Sequence, residues 1–228
     1  MKCSISIIIP AYNEETSLSL LLSHLQEVSN EILEVILVDG NSVDKTIAIA
    51  KQYNVQIVNS KKKGRAAQMN EGALQASGDI LYFLHADSVP KKDTYKKIIT
   101  AISNGYIAGT SVVLFDSDHW TFKLSTMMSK LQTVSARFGD QGLFIKKNTF
   151  NSIEGFDTSL LLFEDQEIFK RISKKGTYTV LDTTITTSAR RFKDRGVYRV
   201  HAVYYLLTIL YQLGVSQKSL MKLYKAVL

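Results

Sequence analysis

Three acidic or polar clusters sit where the chain switches abruptly from apolar to polar. The run 80–84 ends in His85-Ala86-Asp87, so a buried strand would deliver an imidazole and a carboxylate to its tip. Asp39-Gly40-Asn41-Ser42 closes the apolar run 34–38, and Pro10-Ala11-Tyr12-Asn13-Glu14 closes 4–9. Each tip is either a turn that needs polar residues or the working end of a site. A turn alone does not require acids at all of them. Basic runs at 61–65, 91–97 and 190–196, with a formal net charge of +7, suit anionic partners: diphosphates, acidic lipid surfaces or nucleic acid.

The elements that carry these tips alternate. Runs 4–9, 34–39, 55–58 and 79–84 read as buried strands. Leu18, Leu21, Leu22, Leu25 and Val28 mark one helix between them. A second is capped by Ser42 with Ile47 and Ala50 inward. A third carries Ala66, Met69, Ala73 and Ala76 and closes at Gly78. Pro90 opens a fourth, with Tyr95, Ile98, Ile99 and Ile102 on one face. Apolar strands alternating with helices predict an α/β fold whose parallel sheet is covered on both sides, with ligands beyond the carboxyl ends of the strands. The three tips then share one edge.

Past residue 105 the alternation loosens. A longer strand is predicted at 106–115, a helix at 119–138, a strand at 142–147 and a helix at 163–176. Two short strands follow at 178–182 and 183–188. Val200, Val203, Tyr204, Leu207, Leu210 and Tyr211 recur at helical spacing near the end. With 228 residues, 45% hydrophobic and 21% charged, one α/β domain with an extension fits better than two cores. Residues 1–189 are assigned to that domain and 190–228 to a helical extension packed on it.

Cys3 is the single cysteine, which excludes an internal disulfide framework and a multi-cysteine zinc site and favours a reducing, cytoplasmic setting. The apolar stretch near the N-terminus is too short for a signal-peptide core, and no run approaches the ~20 residues of a membrane span. The motifs of serine hydrolases and zinc proteases are absent. A sugar-nucleotide nucleotidyltransferase would need a glycine-rich loop after the first strand, where Pro10–Glu14 has none. The basic residues are interleaved with helix faces rather than gathered with aromatics, so no nucleic-acid partner is expected.

The segments SIIIPAYNEE, VDGNSVDKT, GRAAQMNEGALQASGDILYFLHAD and GLFIKKNTFNSIEGFDTSLLLFEDQEIFKRISKKG, in that order, resemble glycosyltransferase family 2. Its GT-A fold is a Rossmann-like, mostly parallel sheet flanked by helices. The tail, SARRFKDRGVYRV and YYLLTILYQLGVS, resembles the subgroup named for association with radical-SAM and selenium-related genes. The resemblance implies inverting transfer of a sugar from a nucleoside-diphosphate donor to a hydroxyl acceptor, usually with Mg²⁺ or Mn²⁺.

It also implies roles by position. Pro10, Ala11, Tyr12 and Glu14 form the loop against base and ribose, with Tyr12 as a stacking face and Glu14 accepting a ribose hydroxyl. Asp39 accepts from the base ring. Arg65 and Asn70 match basic-residue and amide positions near phosphate or base. Asp87 matches the last acid of an Asp-x-Asp signature and holds the metal; His85 stands where the first acid would be and leaves the metal's identity open. Asp165 matches the catalytic base, with Glu164 as its alternative. Gln141, in Asp140-Gln141-Gly142, is a candidate donor-sugar contact. Arg190 and Arg191 could clamp the diphosphate. Structural alternatives stand beside these: a turn for Asp39, a helix cap for Asp87, helix-dipole acids for Glu14, Glu164 and Asp165. Replacement of an acid by His85 keeps alive a nucleotide-binding scaffold without turnover. The aromatic face of the last helices fits core or homodimer packing, or peripheral docking at a membrane.

Overall fold

The β-branched run after Ser4 becomes the central strand β1 (Ile5–Ala11). Its side chains alternate between two core layers. Ile5, Ile7 and Ile9 pack with Leu18, Leu21, Leu22 and Leu25 of α1 (Leu18–Glu27) on one face. Ile8 packs with Ala66, Met69 and Ala73 of α3 (Arg65–Gln75) on the other. All four isoleucines are fully buried, each burial stabilising by roughly 1.5–3 kcal/mol.

The computed structural model describes residues 3–227. Between these elements run β2 (Glu34–Asp39), α2 (Thr46–Ala50) and β3 (Gln56–Asn59). Beyond α3 come β4 (Ile80–Phe83), β5 (Ser88–Pro90), α4 (Thr94–Ser103), β6 (Ala108–Phe115) and α5 (Trp120–Ser129). The chain continues through β7 (Leu143–Lys146), α6 (Lys147–Ser152), α7 (Glu164–Lys175) and β8 (Tyr178–Thr187). It ends in α8 (Arg190–Arg195), α9 (Val197–Gln212) and α10 (Gln217–Val227).

The strands form one eight-stranded sheet in the order β3-β2-β1-β4-β7-β6-β8-β5. β3, β2, β1 and β4 are mutually parallel. β7 is antiparallel to both β4 and β6, and β5 is antiparallel to β8, so the sheet is mixed beyond β4. The chain leaves β4 near the centre and re-enters the sheet at its far edge as β5, with only residues 84–87 between. Five extended steps reach at most about 18 Å. Four strand spacings in a flat sheet measure about 19 Å. The sheet therefore curls, and a bulge in β8 accompanies the bend. Its register to β6 jumps from Ser111↔Leu181 to Val112↔Thr184, leaving Asp182 and Thr183 unmatched.

Several expected boundaries move, each for a visible reason. The strands expected at 178–182 and 183–188 are one strand divided by that bulge. Pro90 ends β5 instead of opening a helix. Ser42 does not cap α2; its hydroxyl accepts the Asn13 N–H at 2.9 Å, while Asp44 accepts the Thr46 N–H at the helix start. Gly78 lies beyond the end of α3, where any Cβ would sit 2.6 Å from the Ser6 hydroxyl, so it is a close-approach glycine. The helix expected at 119–138 stops at Ser129. The fully buried Arg137 guanidinium takes the carbonyls of Ser129, Leu131 and Thr133 and the Thr110 hydroxyl, and the chain wraps around it. Burial pulls the pKa of that guanidinium down to about 10.

Candidate active site

The carboxyl edge of β1 and β2 is built by cross-stitching two loops. Asn13 and Asn41 both adopt positive φ, 55° and 67°, which asparagine tolerates better than most residues. The Asn13 amide oxygen accepts the Val43 N–H at 2.9 Å, and the Thr46 hydroxyl accepts the Glu14 N–H at 2.8 Å. Asp39, only 4% exposed, accepts the N–H groups of Asn41 and Ser42, each at 3.0 Å through Oδ2. It thus shapes the turn; Oδ1 has one longer contact, 3.3 Å to the Ser42 N–H. Pro10 and Ala11 are buried within β1 rather than in the loop, and the Ala11 carbonyl accepts from Gly40 and Gln68. They stand at the carboxyl end of the strand, and beyond them Tyr12 opens a large ring to solvent.

At the tip of β4, His85 and Asp87 are half-buried, and Asp87 caps no helix because β5 follows it directly. The Ser88 hydroxyl donates to Asp87 at 3.1 Å. Burial first, then the charge of Asp87, raises the pKa of Asp140. The same two causes raise that of Glu14, against the opposing charges of Arg190 and Arg191. Three acids from distant parts of the chain thus lie close enough to repel. His85 is held neutral, its pKa driven well down by burial and then by Arg65 and Arg191.

A third group enters from the start of α7. Phe163 precedes it in a left-handed conformation, φ 68°. This is costly for a bulky residue, and it is fixed by stacking on Tyr211 of α9 with ring centroids 4.7 Å apart. Glu164 and Asp165, both buried, follow. Arg65 at the start of α3 faces them, with Nε 2.5 Å from Glu164 and Nη2 3.5 Å from Asp165; its Nη1 lies 3.3 Å from His85 Nε2. These two acids outweigh the cost of partial burial and hold Arg65 firmly charged. Asp165 has a raised pKa, through burial and then the charge of Glu164, with Arg65 opposing. Gly139 closes over this group: a Cβ there would lie 2.4 Å from His85 Nε2 and 2.8 Å from Asp165 Oδ2.

The C-terminal helices supply the cationic side. Arg190 bonds the Thr16 hydroxyl and lies 3.7 Å from Glu14, pinned to the first loop. Arg191 donates to the hydroxyls of Tyr204 and Tyr224 at 3.0 and 3.1 Å. Burial works against its charge, but Tyr204, Tyr224 and then Asp87 raise its pKa overall.

Two expected residues turn out to be struts. Asn70 is spent on the backbone of Phe156, donating to its carbonyl at 2.8 Å and accepting its N–H at 2.9 Å. Gln141, 1% exposed, donates to the Ala136 carbonyl at 2.6 Å. Its neighbour Asp140 faces the acids instead. The signal for Asp140 was present in the sequence as an acid beside two glycines, but a three-residue turn does not reveal which side chain points inward. Tyr204 and Tyr224 read as packing aromatics, because a helical stripe does not announce that its hydroxyls converge on one arginine.

Among the described residues, no group of three or more His, Cys, Asp or Glu is arranged to hold a metal by itself. A hard divalent ion in a diphosphate site needs only one or two carboxylates and takes its other ligands from phosphate and water. Asp87 and Asp140 meet that requirement, and a cation between them would relieve the repulsion that raises the Asp140 pKa.

A sheet of this order, parallel from β3 to β4 and mixed beyond it, is a GT-A architecture. Residues 6–194 match the model of the Glycosyl transferase family 2. The chain belongs to that family. A dolichol-phosphate mannosyltransferase of Pyrococcus furiosus is 30% identical over 132 residues, 52% of this chain and 36% of that protein. The chain spans about a third to nearly two thirds of the length of the curated relatives it matches. Among solved structures, S. aureus TarS 1–349 in complex with UDP-GlcNAc superposes with a TM-score of 0.69 at 18% identity, over 81% of this chain and 58% of that one. The mannosyltransferase PcManGT from Pyrobaculum calidifontis, in complex with GDP-Man and Mn²⁺, gives 0.68 at 18% identity, over 95% and 65%. The chain therefore has the GT-A fold.

Proposed function

We propose that this chain transfers a glycosyl group, with inversion, from a nucleoside-diphosphate sugar of uridine or guanosine type to a hydroxyl acceptor. The observation that carries the reading is the convergence of Asp87, Asp140 and Asp165 on one rim, facing Arg65 and Arg191. Asp140 and Asp165, whose pKa values are raised by burial and neighbouring acids, lie with Asp87 beside fixed cations, which suits a cation and a diphosphate. Fold relatives bound to UDP-GlcNAc and to GDP-Man with Mn²⁺ support the donor class.

In this reading Tyr12 offers its ring to the base, and Asp39 reads the base edge through Oδ1. Glu14 accepts a ribose hydroxyl. Asp87 and Asp140 would hold Mg²⁺ or Mn²⁺. When bound, such an ion offsets the negative charge that gathers on the departing diphosphate. Arg191, oriented by two tyrosine hydroxyls, faces the same charge, and Arg190 keeps the first loop against it. His85, neutral, donates or accepts a hydrogen bond without adding charge. Asp165 takes the acceptor hydroxyl's proton as its oxygen attacks the anomeric carbon; a raised pKa suits a base that works near neutral pH.

The test is a thermal-shift panel of nucleoside diphosphates with and without Mn²⁺, followed by transfer assays on Asp165→Asn. Stabilisation by one diphosphate, with transfer lost in Asp165→Asn by ~10²–10⁴-fold and binding kept, is the expected result. No stabilisation by any diphosphate would reject the donor. One observation favours a second reading: Arg65 engages both Glu164 and Asp165. Tight nucleotide binding with no turnover on any acceptor would select the scaffold.

A further inference from the structure

Helix α9 is apolar on two opposite sides. Val200, Val203 and Leu207 are buried against the protein, while Tyr198, Tyr205 and Ile209 recur at steps of seven and four on the outer side. Helix α5 repeats the pattern, with Trp120, Leu124 and Met127 outward. These six side chains are between 41% and 64% exposed, although each is the type that a soluble surface keeps inside. The two stripes are in register. The Trp120 indole donates to the Tyr198 hydroxyl at 3.4 Å, Ser125 meets His201 at 3.4 Å, and the Tyr205 hydroxyl reaches the Met128 sulfur at 3.8 Å. The partners advance together along both helices, which therefore lie side by side and present one continuous face.

Charge says what covers that face. Residues 190–228 hold eight Lys or Arg and one acid, Asp194. The remaining 189 residues hold twenty of each sign, so the whole net charge of +7 belongs to the C-terminal segment. Neither α5 nor α9 contains an acid. Lys123 lies one turn from both Trp120 and Met127, Lys130 one turn beyond Met127, and Arg199 beside Tyr198; all three are exposed. An aromatic and aliphatic face studded with cations, on two helices that carry no acid and with Asp118 just ahead of α5, is the composition of a segment that lies in the interface of an anionic bilayer. A second copy of the same face would bring like charges together. Among the described residues, no helix is long and apolar enough to cross a membrane.

We propose that the face shared by α5 and α9 docks on an anionic lipid surface, apolar side chains entering the headgroup boundary and lysines reaching the phosphates. Trp120 is the only tryptophan of the chain and reports directly. Full-length protein is mixed with vesicles of phosphatidylcholine alone or with about one third phosphatidylglycerol. The expected result is co-sedimentation and a blue-shifted Trp120 emission with the anionic vesicles only, weakened by salt. Leu124→Ser/Ile209→Ser and Lys123→Glu/Arg199→Glu each reduce the partition at least tenfold, while thermal melting and nucleotide binding stay unchanged. Lack of binding to anionic vesicles, or equal binding by both double variants, overturns the proposal. A concentration-dependent dimer that Leu124→Ser/Ile209→Ser abolishes, with no vesicle binding, overturns it in favour of self-association. None of these readouts depends on sugar transfer.

Discussion

The proton affinity of Asp165 is set by neighbours that can be changed one at a time. Burial and Glu164 raise its pKa, and Arg65 lowers it. A base works when ionised, so transfer should climb with pH through a value above the ordinary carboxylate range. Arg65→Met should move that climb to higher pH and Glu164→Gln to lower pH, read from kcat/KM against pH; equal profiles would separate Asp165 from the limb. The same raised pKa has a stability cost of definite sign. Between the unfolded and folded pKa values the native state holds more protons, so the Asp165 contribution is present at low pH and lost as pH rises through the folded pKa. Asp140→Asn should weaken Mn²⁺-dependent nucleotide binding about tenfold or more while metal-free binding is kept, measured by calorimetry. The places of Asp39 and Asp87 at strand ends and of Asp165 at a helix start were legible in the sequence, because those boundaries follow from the apolar runs. Asp140 and Gly139 were not, because the loop that carries them is ordered by Arg137, whose charge marks it as a surface residue until its four oxygen partners are seen.

At the scale of elements, α9 and the start of α10 set the direction of α7 through contacts made within the protein. Tyr211 stacks on the left-handed Phe163, and the Gln217 side chain accepts the N–H groups of Leu161 and Leu162, both at 3.1 Å. This clamp sets the angle at which α7 begins. Tyr211→Ala with Gln217→Ala should lower kcat several-fold with donor KM nearly unchanged, in steady-state assays, because the base loses its aim while the donor loops are untouched. Asn70→Ala should act differently. It leaves the Phe156 backbone without two partners and should cost about 1–3 kcal/mol in denaturant unfolding, with little change in donor affinity in the surviving fold. The alternating βα half was legible because buried parallel strands announce themselves as continuous apolar runs. The second half was less so. Its strands mix antiparallel pairings with the parallel pairing of β6 and β8, and the bulge at Asp182 and Thr183 imitates a turn.

For the whole molecule, donor binding and folding should be one linked equilibrium, since the rim draws residues from β1, β2, β4, α3, α7 and α8. A nucleoside diphosphate at a hundredfold its Kd should add about 2.7 kcal/mol to unfolding. Chelating the metal should remove most of that gain, as followed by thermal melting. The gain should survive in Leu124→Ser/Ile209→Ser, because the outer face of α9 is separate from the rim. The four-residue passage at 84–87 carries a further consequence. It closes as a turn, the Ser88 N–H donating to the His85 carbonyl at 3.1 Å, and so fixes where β5 starts against β8. An inserted or deleted residue there would break that turn and shift either Asp87 or the pairing of β5 with β8. Substitution is open to this passage in a way that a change of length is not.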